Sequence, residues 1–438
     1  MPTRPRRDRK KSAAAPPRPD PARRVAADQP ALATFLLRPF VDLATSEGPA
    51  PIYARSLEHY WNAFADPRLP RFALQRALPR RFRAQFLAEA RLTDYDVQDP
   101  RELALPLRSE RWRALCDAID AWPRQKAAER CRLVLLLHAL CLYRFIADIV
   151  PERGDSVRLD CADGAELAYW RASACYVLGR PDRIGEYEHA DLAAFAAIAE
   201  HAPRDAPATL NAALKLLVHK AKIGAPATAL ATALAHVEPI LAAVTAAADP
   251  FTHGLFLSRF YRAAAFVPQR CGDRAETVRL MDLAEAHALA LAPKDDSEAL
   301  AERENRHALF ESRTKEALWL GDLDLALARA QHLVEIDPYD SKIWLELGQV
   351  RRRRDEPTLA AEAYLVAATL GAPATAIARH MAGLCFREAG LPAVAAYFFR
   401  AAIDADPGAI APHDEIQTLP DLPGFAALKA WSLAAFTI

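Results

Sequence analysis

Two stretches of this chain carry the spacing of a metal-ligand pair, Glu186…His189 and Glu304…His307. Residues three apart share one face of a helix, and two Glu-x-x-His pairs with two further glutamates hold a di-iron centre in helical bundles. Here the pairs lie far apart in the chain and the first follows closely on a turn, so no metal ligand is assigned. A chain with 12 histidines supplies such pairs readily. No phosphate-cradling G-x-x-x-x-G-K-[ST] or G-x-G-x-x-G occurs, and neither does H-E-x-x-H or G-x-S-x-G. With only 15 glycines in 438 residues, a glycine-rich loop is not expected. The seven cysteines (Cys116, Cys131, Cys141, Cys161, Cys175, Cys271, Cys385) show no C-x-x-C. Their odd number does not suit a complete disulfide framework, so they read as buried, reduced thiols of a cytoplasmic protein. No catalytic residue, cofactor or metal is therefore expected, and the chain is read as a non-enzyme.

The strongest run of one chemistry is Arg351-Arg352-Arg353-Arg354. Cations at the end of a helix favour the negative end of its macrodipole. Arginine also pairs with a carboxylate at two points at once. What this run does depends on the elements that carry it. Trp344, Leu347, Gly348 and Arg351 fall at i, i+3, i+4 and i+7, one stripe of a helix. A second stripe follows Asp355-Glu356-Pro357 through Ala360, Ala363, Tyr364 and Ala367. Gly348 and Ala360 are small where two helices must cross closely, and Trp344 and Tyr364 fill the space beside the crossing.

The pattern recurs. Phe310, Ala326, Ala330 and Leu333 return 34 residues later as Trp344, Ala360, Tyr364 and Ala367. Leu347, Gly348, Ala360, Tyr364 and Ala367 return 35 residues later as Ala382, Gly383, Ala395, Phe399 and Ala402. Gly321 and Gly390 supply a tight turn that Asp355 replaces in the middle unit, and Pro338, Pro373 and Pro407 stop the second helices. A period of this length marks a helix-turn-helix repeat that stacks into a solenoid.

At these residues the chain resembles the tetratricopeptide repeat family, over three units at about 307–340, 341–375 and 376–409. The departures are Arg379 in the place of a large apolar residue, Ala330 in the place of an aromatic one, and Arg351 where an aromatic is common. The resemblance implies an all-α, right-handed α-solenoid whose first helices line a groove for another protein or peptide segment. In that register the groove presents Glu311 and Lys315, then Leu345, Gln349, Arg352 and Arg353, then His380, Leu384 and Arg387. Some family members clamp a C-terminal carboxylate, but the matching positions here include Glu311, Glu346, Ile377 and Met381. That clamp is not preserved. A mixed, partly basic groove suits a segment with acidic and apolar residues.

The rest of the chain is helical in composition, with 52% hydrophobic residues and few period-2 runs. Residues 1–24 form a basic, proline-rich tail expected to be disordered. Residues 30–150 read as a helical N-terminal domain with apolar stripes at Leu57, Tyr60, Trp61 and Phe64 and at Trp112, Leu115, Ile119 and Trp122. Arg80-Arg81-Phe82-Arg83 reads as part of an amphipathic helix. Residues 165–300 read as degenerate helical hairpins that continue the superhelix, and residues 410–438 as a cap sealing its last face. The most hydrophobic stretch, Leu133–Tyr143, is too short for a membrane span, which needs about 20 residues. The formal net charge is zero, which argues against nucleic acid as the main partner. The expected function is a protein-binding scaffold. The alternative is an accessory subunit that contacts nucleic acid or an acidic assembly through the basic tail and the arginine run. Oligomeric state is not readable.

Overall fold

The computed structural model describes residues 64–65, 99–102 and 110–436, apart from 141, 153–156, 179–191, 247, 337–339 and 371–373. The basic tail, Arg80–Arg83, Glu186…His189, Pro338 and Pro373 lie outside these residues. The described residues are helical, with no strand among them. The first helices are α1 (Glu110–Asp120), α2 (Ala127–Ala139), α3 (Tyr143–Ile149) and α4 (Ala162–Leu178). Next come α5 (Ala193–His201), α6 (Pro207–Lys222), α7 (Ala227–Ala246), α8 (Pro250–Ala264), the short α9 (Phe266–Arg270) and α10 (Arg274–Leu289). The chain continues through α11 (Asp296–Leu320), α12 (Leu323–Ile336), α13 (Ser341–Arg353), α14 (Pro357–Thr369), α15 (Ala374–Glu388) and α16 (Pro392–Ala405). It ends in α17 (Ile410–Gln417) and α18 (Pro423–Phe436).

Local sequence sets where these helices begin and turn. Proline opens α6, α8, α14, α16 and α18, where its missing N–H costs nothing. Aspartate caps others: Asp295 accepts from Glu298 N at 2.8 Å and Asp340 from Lys342 N at 2.9 Å. Gly321 and Gly390 take the left-handed conformation between paired helices, at φ 84° and 76°. Asp355 holds the equivalent turn at φ 61°, the one non-glycine with positive φ among the described residues.

Helices pack as successive pairs: α6 on α7, α8 on α10, α11 on α12, α13 on α14, α15 on α16 and α17 on α18. First helices also touch first helices, α4 to α6, α6 to α8, α8 to α11 and α13 to α15. Second helices make no comparably close contact with one another among the described residues. The row of first helices is therefore the tighter, inner row of a solenoid.

The small-large pairs of the repeat are where the helices cross. A Cβ on Gly348 would stand 2.6 Å from the Tyr364 ring, and one on Gly383 would stand 2.6 Å from the Phe399 ring. Tyr364 and Phe399 are both fully buried. Trp344 is only half-buried, packed against alanines of α14 and α15. Arg379, in the corresponding place, bonds through Nη1 to the Ala401 carbonyl at 2.9 Å, so a hydrogen bond to α16 replaces apolar filling.

Three features differ from the sequence boundaries. The helix of the first tetratricopeptide-like unit begins at Asp296, so the divisions at 300 and 307 fall inside one helix of 25 residues. Residues 110–150 share one core with the solenoid, in which Trp112, Leu133, Leu137, Phe145 and Trp170 pack with Phe251, Leu255 and Ala301. And the apolar run Leu133–Tyr143 is not one helix, since α2 ends at Ala139 and α3 begins at Tyr143; among the described residues it is α7 that is long and apolar enough to cross a membrane by length and composition alone. Its Leu230, Val237, Ile240, Leu241 and Val244 are buried, and much of its outer face is alanine. Residues 410–436 form one more helical pair on α16, with Arg400 lying 3.4 Å over the Trp431 ring.

Candidate partner-binding face

The proposed groove residues lie on three successive first helices, α11, α13 and α15. Most of the charged ones are already engaged across the seams between those helices. Glu311 on α11 receives Lys315 Nζ at 2.6 Å and, from α13, Lys342 Nζ at 2.6 Å. Lys315 also reaches Glu346 of α13 at 3.0 Å. Arg352 on α13 bonds through Nε to Glu388 of α15 at 3.0 Å. Arg387 on α15 pairs with Glu415 of α17 and with Thr418 Oγ1 at 3.0 Å. A row of guanidinium groups open to a partner, as the register suggested, is therefore not what the structure presents. Arg352 and Arg387 stitch each repeat to the next.

The arginine run divides accordingly. Arg351 donates to the Leu359 carbonyl at 3.0 Å, and Arg354 pairs with Asp324 of α12 and with Glu356 at 2.9 Å. Arg353 alone of the four is exposed and shows no partner among the described residues. Gln349, one turn earlier on the same face, is exposed as well. His380 is half-buried beside the Phe399 ring, and its Nε2 is shut off from solvent without a hydrogen-bond partner. Burial pushes His380 below its ordinary value; Glu415 opposes the shift, and Arg352 and Arg387 add to it. Leu345 and Met381 are half-buried beside these groups, and Leu384 is buried. Of the groove positions, Gln349 and Arg353 are exposed and His380, Leu345 and Met381 are half-buried, with paired charges on both flanks.

Glu304 and His307 are buried on α11, and His307 Nε2 stands 3.3 Å from Asp340 Oδ2 at an angle unsuited to a hydrogen bond. Asp340 is the cap of α13, so this histidine braces a helix start. Among the described residues, Cys131, Asp163 and Glu166 bring donor atoms within 4.8 Å of one another. Within that group Cys131 Sγ donates to the Asp163 carbonyl at 3.2 Å, and Glu166 accepts from Trp170 Nε1 at 3.4 Å.

A buried ion network was not anticipated. Arg313 on α11 contacts Asp282 at 2.7 Å, Glu285 at 2.9 Å and Glu316 at 2.8 Å, and Arg329 reaches Glu316 at 3.1 Å. The repeat carried a signal for it. Arg313 and Glu316 stand 34 residues before Leu347 and Val350, both core positions. A charge at a core position needs a buried partner.

The described part of the chain is an all-α helical-repeat solenoid, with tetratricopeptide-like small-large crossings at Gly348 with Tyr364 and Gly383 with Phe399. No family model matches the chain, and no curated protein does. Among solved structures it is similar to YrrB, a TPR protein with an unusual peptide-binding site, at 18% identity and a TM-score of 0.32. That match covers 51% of this chain and 97% of the other. It is also similar to the APC/C hetero-tetramer Cut9-Hcn1, at 13% identity and a TM-score of 0.26, over 74% of this chain and 84% of that one. Superpositions this loose transfer no residue roles. The tetratricopeptide-like architecture rests on the helix pairing and on the crossings at Gly348 and Gly383.

Proposed function

We propose that the protein is a scaffold that holds a segment of a partner protein along its inner, first-helix face, and that it works by binding rather than catalysis. The observation that supports this reading is the row of first helices, which touch directly at α4–α6, α6–α8, α8–α11 and α13–α15 and are joined by ion pairs across α11–α13. On α13 and α15 that row carries a strip of exposed Gln349 and Arg353 with half-buried Leu345, His380 and Met381. The cross-repeat ion pairs hold that strip in shape before a partner arrives, so little ordering in the receptor opposes binding. Arg353 suits a carboxylate of the segment, and the apolar neighbours suit its hydrophobic residues.

A photo-crosslinking amino acid placed at Gln349, and separately at the exposed Leu359 on α14, tests the reading. A discrete adduct at 349 and none at 359 is expected. Equal labelling at both positions, or a co-purifying partner that never labels at 349, overturns it. For the captured partner, Arg353→Glu should weaken binding about three- to tenfold, roughly 0.7–1.4 kcal/mol, because it reverses a charge without breaking an internal pair.

A further inference from the structure

Glu346 is the least exposed of the charged residues on the inner face of α13, at 9%. Its Oε1 lies 3.0 Å from Lys315 Nζ, whereas its Oε2 is closed off from solvent and has no hydrogen-bond donor. Glu311, across the seam on α11, is better served, with both Lys315 and Lys342 at 2.6 Å. Two carboxylates thus share two ammonium groups unequally, and the poorer share falls to the buried one. Burial, and then the like charge of Glu311, push Glu346 up from 4.5 to about 7 against the pull of Lys315 and Lys342. The largest charges acting on it are Glu311 and Lys315 from α11 and Lys342 from α13.

We propose that this quartet is a proton-operated seam between the first helices α11 and α13, closed when Glu346 carries a proton and strained when it does not. With the proton on Glu346, the buried anion and its repulsion with Glu311 both vanish. Lys315 and Lys342 then serve Glu311 alone. Without it, two carboxylates face each other with one oxygen unpaired and cut off from water, which is costly in a poorly solvated site. The folded chain holds a proton that the unfolded chain releases at lower pH. The resulting stabilisation is complete below 4.5 and is lost as pH rises through about 7. The seam needs no partner to operate, so it stands apart from the scaffold reading. If a segment does lie along the inner face, its first-repeat contacts would change stiffness across neutral pH.

The test uses the full chain without any partner. Hydrogen exchange of the α11 and α13 amides is compared between wild type and Glu346→Gln from pH 5.5 to 8.5. Glutamine matches the protonated acid in shape and charge, and the ratio of the two chains at each pH removes the intrinsic pH dependence of exchange. Relative to its value at pH 5.5, the ratio of wild-type to Glu346→Gln exchange should rise at least tenfold by pH 8.5 in these two helices, and it should not change in the helices from α4 to α8. A constant ratio overturns the proposal. If Glu346→Gln does not fold, isotope-edited infrared titration of the wild-type glutamates, compared with Glu311→Gln, decides. A carboxyl titrating near 7 that moves down when Glu311 loses its charge supports the seam. No glutamate titrating above 6 overturns it.

Discussion

Adding one methyl group at Gly348 should cost stability, and the cost should depend on the ring it meets. An alanine Cβ there would stand 2.6 Å from Tyr364 Cε1 and 2.8 Å from Cδ1 and Cζ. Such approaches are about 1 Å inside ordinary carbon contact, and Tyr364 is walled in on α14 with 1% exposure. Overpacking of this kind costs about 1–3 kcal/mol. Replacing glycine by alanine inside α13 returns about 0.8–1.0 kcal/mol of helix propensity. The net expectation is a loss of up to about 2 kcal/mol, worked from those two terms. The assay is urea unfolding followed by hydrogen exchange of α13–α15, since a solenoid need not unfold as one unit. Tyr364→Ala should itself destabilise strongly. In that background Gly348→Ala should become neutral, or stabilising by up to about 1 kcal/mol, because only the propensity remains. The pair Gly383 and Phe399 repeats the geometry at 2.6 Å and should give the same cycle. Equal destabilisation by Gly348→Ala in both backgrounds would refute the close-crossing argument.

Other substitutions separate kinds of contact. Trp344→Ala should cost about 2–3 kcal/mol by thermal or urea melting, below the range for a fully buried tryptophan because the ring is half-buried. Arg352→Ala breaks a half-exposed pair with Glu388 and should shift stability by no more than about 1 kcal/mol. Arg313→Ala removes the centre of a buried network and leaves Glu316 without its closest cation, so a loss of about 3–5 kcal/mol is expected. Installing both Arg313→Leu and Glu316→Val, the residues that the next repeat carries, should recover most of that loss in the same melts.

Much of the fold is written in short-range pairs of residues. Gly348 with Tyr364 and Gly383 with Phe399 lie 16 residues apart within one hairpin, and each pair states a helix crossing in two letters. The turns at Gly321, Asp355 and Gly390 are equally local. The start of α11 was not legible, because its 25 residues extend a whole segment beyond the repeat period. The shared core of residues 110–150 was not legible either, since Trp112 and Phe251 meet only through the stacking of α2, α4 and α8.

The face shows the same division between what is local and what is not. Helical register put Arg352, Arg353 and Arg387 on the inner row, and the structure keeps all three on first helices there. Register cannot say whether such a charge is already matched, because the match comes from the next repeat. Arg352 finds Glu388, 36 residues on, and Arg387 finds Glu415, 28 residues on. Nevertheless, Arg353 and Glu388 occupy the same place in successive repeats, 35 residues apart. An inner rim that carries a cation in one repeat and an anion at the equivalent place in the next can close on itself. Each inter-repeat pair is worth little alone. Repeated across α11–α13, α13–α15 and α15–α17, such pairs fix the spacing of the inner row. On the proposed scaffold reading, the residues left over, exposed Gln349 and Arg353 with half-buried His380, are the ones on which selectivity for a partner would depend, and substitutions at Gln349 and Arg353 should change binding more than melting.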